Sequence, residues 1–265
     1  MREASMSKAD DSMAASAAMA GQPPAARDQR PWGLIASLVL FLILFGAMNP
    51  AYDAILSATG LQTLIDQSPR LRGVNNFTAW ALKFLIIVLA VRLTAIPLRN
   101  YLGYNRPRVS DVVLGVGVVL LIFGLVLVLA LATGNGPGLV VEYRAEIAKG
   151  TSPWWFVLRW WPAIFLASFV EESFFRGFMW RGIEAYHGRL AALLVTSLLF
   201  AGMHYDYYII AGAVDVPSVI QYLLFSFIFG WLRWRSGGTT APIIAHAVSN
   251  ASLQGLLIVA SALVP

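Results

Sequence analysis

The residues whose types and spacing could carry chemistry lie on three apolar stretches. The first reads Phe169-Val170-Glu171-Glu172-Ser173-Phe174-Phe175-Arg176-Gly177, with two carboxylates and a guanidinium in otherwise apolar company. Adjacent helical residues point about 100° apart, so Glu171 and Glu172 cannot serve the same partner. Glu172 and Arg176 stand at i and i+4 and can pair, which leaves Glu171 to face something else. Ionisable groups within membrane helices are rare, costly and functional by default. The plainer alternative is a neutralised structural cluster of all three.

The second stretch ends in Phe200-Ala201-Gly202-Met203-His204, and the third holds His246-Ala247-Val248-Ser249-Asn250. A chain reversal near Gly188 would put Glu171 and His204 each about 25 Å from the turn, hence at matching depth on antiparallel helices. His246 and Asn250 share one helical face. Measured from a turn at Gly237-Gly238, they lie about 14 to 20 Å along their helix, near the same depth. One Glu, two His and one Asn are therefore offered to a single region. A buried His or Asn needs a partner, and interhelical hydrogen bonding is the ordinary use of both in membranes.

These motifs, Glu-Glu-x-x-x-Arg, Phe-x-x-x-His and His-x-x-x-Asn, occur in order over residues 154 to 255 or so. The set resembles the CPBP family of intramembrane proteases, which includes the CAAX prenyl endopeptidases and bacteriocin-processing enzymes and is also called the Abi family. Carried across, the resemblance assigns Glu171, His204, His246 and Asn250 as catalytic residues, with Glu172 and Arg176 as their supporting pair. It implies peptide-bond hydrolysis within the membrane. Glu171 and His204 would hold and deprotonate a water, while His246 and Asn250 would donate hydrogen bonds to the tetrahedral oxyanion. It also implies a glutamate-dependent enzyme with no metal or other cofactor. Zinc on Glu171, His204 and His246 is the alternative, since one Glu and two His can make an open three-ligand site. Residues 1–150 carry no motif of the family.

Other polar residues are less telling. His187 beside Gly188 is expected at a surface turn. Lys83 and Arg92, in the second apolar run, either snorkel or line a cavity. Tyr205, Asp206, Tyr207 and Tyr208 follow His204 directly; they form an interfacial loop or a rim that receives substrate.

The elements that must position these groups are membrane helices. The chain has 265 residues, 58% hydrophobic and 12% charged, with a formal charge of +5. That is far from the roughly one quarter charged of a soluble domain. Absence of Cys excludes disulfides and thiolate metal sites. The arginines lie between apolar runs, so they read as topology signals and anionic-lipid contacts rather than as a nucleic-acid surface. Apolar runs long enough to span appear at about 32–48, 77–97, 111–133, 154–180, 189–204, 217–234 and 240–264. The fold class expected is an all-α, polytopic transmembrane helical bundle of about seven spans, within a range of six to eight. Residues 51–73 are mixed and amphipathic, suited to the interface. Trp154, Trp155, Trp160, Trp161, Trp231 and Trp234 suit an aromatic belt.

Three regions follow. Residues 1–31, rich in Ala, Ser and Met with Pro23, Pro24 and Pro31, form a disordered cytoplasmic tail. Residues 32–150 form N-terminal membrane helices, and residues 151–265 form the catalytic ones. With the N-terminus cytoplasmic, Arg27, Arg30, Arg99, Arg106, Arg108, Arg181, Arg189, Arg233 and Arg235 lie inside, against Arg70, Arg72, Arg144 and Lys149 outside. An Ala/Arg-rich composition without organelle signals points to a bacterial cell membrane. There the substrate would be a membrane-associated peptide or protein, such as a leader peptide, rather than a prenylated one. The oligomeric state is not legible. The rivals are a non-catalytic scaffold or immunity factor and a transporter using the buried charges. A transporter would call for repeated halves or broken helices, and neither is visible in the sequence.

Overall fold

The computed structural model describes residues 30–132, 161–207, 209–210, 213–214 and 216–263. Within them the chain is an all-α, membrane-type bundle. The N-terminal tail, the 150/151 boundary, Trp154, Trp155, Trp160, Tyr208, Arg144 and Lys149 lie outside the described residues. Helix α1 runs Leu34–Ala58, with a π-helical interior at Leu42–Ala47. It is followed by α2 (Leu61–Gln67), α3 (Pro69–Arg92), α4 (Leu98–Leu102) and α5 (Val109–Ala132). Residues 162–187 form α6 and residues 189–203 form α7. They are joined at Gly188, whose φ of +82° breaks the helix in the left-handed region that glycine alone adopts cheaply. A short turn (Tyr205–Tyr207) and a two-residue antiparallel pair, Ile209–Ile210 with Ala213–Val214, lead into α8 (Val216–Ser236). After Gly237, α9 spans Thr240–Leu263.

Each of the seven expected apolar runs holds a helix within the described residues, with shifted boundaries; the second ends at Arg92 rather than near Pro97, and the fourth continues past Trp180 to the break at Gly188. The first continues through Pro50 and Asp53 to Ala58, so part of the stretch read as interfacial belongs to a membrane-length helix. The second begins at Pro69 rather than near Phe77: Ser68 caps its first turn through Leu71 N at 3.4 Å, and proline is preset for the first helical position. By length and apolarity alone, three described helices can cross a membrane: Leu34–Ala58, Arg70–Arg92 and the kinked Ile164–Met203. Their apolar side chains face outward as well as inward, as at Ile35, Leu89 and Leu198, all more than half exposed. Such surfaces suit lipid rather than water.

The core gathers around α6. Its start packs against α3 and α9, and its middle meets α4 and α8. Phe174 and Phe175 of α6 are fully buried beside Phe41 and Phe45 of α1, with ring centroids 5.4 and 5.5 Å apart for Phe45 with Phe174 and Phe175, and the buried Phe178 stacks on Tyr101 of α4 at 5.3 Å. This aromatic packing fixes the face of α6 that carries the carboxylates. Helix α5 packs against α9 and α8, so the N-terminal helices brace the C-terminal ones directly.

Candidate active site

Glu171 and Glu172 sit on a short α-helical segment, Ser168–Glu172, between two π-helical stretches, Pro162–Ala167 and Ser173–Met179. π-Turns inside α-helices recur at functional sites, because the wider turn re-aims side chains. The adjacent carboxylates do part company. Glu172 Oε1 accepts from Arg176 at 3.2 Å, with both side chains fully buried. The same oxygen accepts from His246 Nδ1 at 3.0 Å. Arg176 continues across the bundle, donating to the Ser226 carbonyl at 2.6 Å and to Ser226 Oγ at 3.0 Å on α8. Its guanidinium lies 4.6 Å over the Phe200 ring.

Glu171 faces the other way. Among the described residues its Oε2 has no hydrogen-bond partner, yet it lies 3.9 Å from His246 Nε2 and 4.0 Å from His204 Nε2. The tautomers follow from the partners. His204 Nδ1 stands 2.7 Å from the Phe200 carbonyl, which only accepts, so Nδ1 carries the proton. His246 Nδ1 likewise donates to the Glu172 carboxylate. Both imidazoles therefore turn Nε2 toward Glu171. Each gap is too long for a direct bond. A water about 2.8 Å from both atoms of either pair would bridge it.

Aromatic walls hold the rings. Phe200 meets both, with centroids 4.7 Å from His204 and 5.5 Å from His246. Tyr222 stacks on His204 at 4.8 Å and Phe229 on His246 at 4.9 Å. The Phe of Phe-x-x-x-His thus supplies an acceptor from its backbone and a wall from its side chain.

The six residues singled out in the sequence are brought to one place. Asn250 is oriented by Ser168, to whose Oγ its amide donates at 3.0 Å. Sequence reasoning passed over Ser168, Ser226 and Tyr222. It also passed over Tyr104, which hydrogen-bonds Ser173 on α6 at 2.6 Å. It left Lys83 undecided. That residue is buried, with its ammonium 4.3 Å from the Trp80 ring and 5.3 Å from that of Phe45, the ring that packs on Phe174 and Phe175. It lies within electrostatic reach of Glu171 and makes no ion pair with it. Arg92, His187, Tyr205 and Asp206 are exposed.

Residues 153–252 match the family model described as Rce1-like, type II CAAX prenyl endopeptidase Rce1-like. The matched stretch contains α6 to α8 and the part of α9 that bears His246 and Asn250. Over that stretch the chain is similar to this CAAX-type protease family, in keeping with the resemblance read in the motifs, and its apolar helices are those of an integral membrane protein. No curated protein and no solved structure matches the chain.

Proposed function

We propose that the protein is an intramembrane endopeptidase that hydrolyses a peptide bond of a membrane-associated or lipid-modified substrate, using a water activated by Glu171 and His204. The observation that carries this reading is the buried Glu171 Oε2, which has no hydrogen bond to the described residues and lies 4.0 Å from His204 Nε2 and 3.9 Å from His246 Nε2. A water held there is polarised by an acceptor on each side. Its oxygen attacks the scissile carbonyl, its proton passes to the Glu171–His204 pair, and the same proton reaches the leaving amine as the C–N bond breaks. Asn250, its amide set by the hydrogen bond to Ser168 Oγ, donates to the oxyanion. His246, anchored on Glu172 through Nδ1, donates from Nε2 when doubly protonated. Removing one such donor costs about 100- to 1000-fold in rate. Glu172 and Arg176 hold the face of α6 and set the local field.

Purified protein in detergent, incubated with a library of membrane peptides, tests the proposal. Cleavage by wild type and none by a folded Glu171→Ala variant supports it. Solute uptake by proteoliposomes, without cleavage, would favour a transporter instead. Trapping with Glu171→Gln followed by mass spectrometry would name the substrate.

One observation favours a second reading. Three acceptors, Glu171 Oε2 and two Nε2 atoms, face one another, a donor set that also suits zinc. Against it, no group of three or more described His, Asp or Glu is close enough to hold an ion jointly. Arg176 and Lys83 already supply positive charge to the same region. Activity that survives exhaustive chelation supports the metal-free mechanism; activity restored only by zinc supports the other.

A further inference from the structure

Away from Glu171, the chain gathers its reversals at one end of the bundle. Gly188 turns α6 into α7, and Gly237 turns α8 into α9. The link from α4 to α5 joins them: Asn105 donates to the Ser236 carbonyl at 3.0 Å, and Thr239 N donates to the Gly103 carbonyl at 2.8 Å. Arg181 donates to the Asn100 carbonyl at 2.6 Å, and Arg235 pairs with Asp111 at 2.8 Å. The same end carries Trp231 and Trp234, both more than a third exposed. Tryptophans of this kind mark headgroup depth.

Between the two reversals lies a cavity of about 90 Å³, lined by Trp180, Glu184, Arg189, Arg233, Trp234 and Gly237. Arg233 is 8% exposed. Its Nε donates to the Arg176 carbonyl at 2.8 Å, and its terminal nitrogens make no hydrogen bond to the described residues. A buried guanidinium with free donors at a polar cavity is expensive to keep without an anion. Glu184 attracts Arg233 across the cavity but is shared with other donors. One of its oxygens accepts from Trp180 at 2.9 Å and the other from Arg189 at 2.7 Å. With Arg181 beside them, the charges around the cavity leave an excess of positive charge.

We infer that this cavity binds a phosphate group, and that its source is the phosphodiester of an anionic phospholipid. Arg233 contacts the phosphate oxygens, Arg189 closes the solvent side, and the tryptophans seat the glycerol region. The bound headgroup ties the α6–α7 and α8–α9 turns together. Because Arg233 also holds the backbone of α6 at Arg176, it is linked to the segment that carries the carboxylates. The inference does not depend on the proteolytic reading.

Native mass spectrometry of the detergent-purified protein tests it, with thermal melts in parallel. The additions are phosphatidylglycerol, phosphatidylcholine and inorganic phosphate. Wild type should retain phosphatidylglycerol and melt higher with it than with phosphatidylcholine. Arg189→Gln, at an exposed position, should weaken retention about fivefold or more, whereas Arg106→Gln at the same end should not. Arg233→Lys keeps the charge but loses the fork, and should also weaken retention. It serves if Arg233→Gln fails to fold. Equal retention of the two lipids would overturn the inference. So would retention unchanged in both Arg189→Gln and Arg233→Lys, or displacement of the lipid by millimolar phosphate.

Discussion

At the scale of single residues, the site divides labour between two neighbouring carboxylates. Glu172 is held through Oε1 by Arg176 and His246, while Glu171 Oε2, with no hydrogen bond to the described residues, is left open to a bridging solvent molecule. Their substitutions should therefore fail differently. Glu171→Gln should lower turnover about 100- to 10,000-fold with an unchanged melting temperature, as loss of a general base does. Removal of the Arg176 side chain should cost about 3–5 kcal/mol of stability, because it strands Glu172 without a cation at a site inaccessible to water. Thermal melts beside single-turnover assays separate the two. Ser168→Ala should leave the fold intact and lower kcat more than it raises KM, since it frees the Asn250 amide from its set orientation. The acidic, basic and imidazole members were legible because such groups are rare in apolar runs. Ser168, Ser226 and Tyr222 were not, because Ser and Tyr are unremarkable in membrane helices. Ser168 and Ser226 earn their place through partners 82 and 50 residues away in the sequence.

At the scale of elements, apolar periods and glycine turns located the helices, and polar residues near their ends misled. Asn49, Pro50 and Asp53 read as a break, yet α1 runs through them, with its π-helical interior just before. Arg70, Arg72, Asn75 and Asn76 disguised the first turns of α3. The reversal at Gly188 was legible, and with it the match in depth of Glu171 and His204. The π-helical stretches around the carboxylates were not, because their register depends on packing against α1, α3 and α4. Close helix approach gives a test. A Cβ on Gly182 would lie 2.0 Å from the Trp32 carbonyl oxygen, a backbone atom that cannot swing aside. Gly182→Ala should thus destabilise by about 1–3 kcal/mol, measured by thermal melting. Gly117→Ala, where nothing lies within 4 Å, should be near neutral.

At the scale of the whole molecule, the absence of Cys makes topology directly measurable. Single cysteines at His187 and Asp206, both exposed, lie at opposite ends of α7. A membrane-impermeant thiol reagent should label them from opposite sides of sealed vesicles, with position 187 on the arginine-rich side. The proposed topology places that side in the cytoplasm. Labelling of both from one side would overturn the arrangement of α6 and α7 as a membrane hairpin.

Helix α7 has a reach that matters here. Residues 189–203 extend about 22 Å, short of the ~30 Å hydrocarbon layer. With its Gly188 end at the surface, the helix therefore ends within the far leaflet, short of its headgroups, and the turn Tyr205–Tyr207 opens at a level where lipid tails would otherwise be. Irregular backbone survives at that level only against protein or in a hydrated vestibule. A vestibule above His204 would be the channel by which solvent replenishes the nucleophile after every turnover, and by which a cleaved fragment leaves without crossing oil.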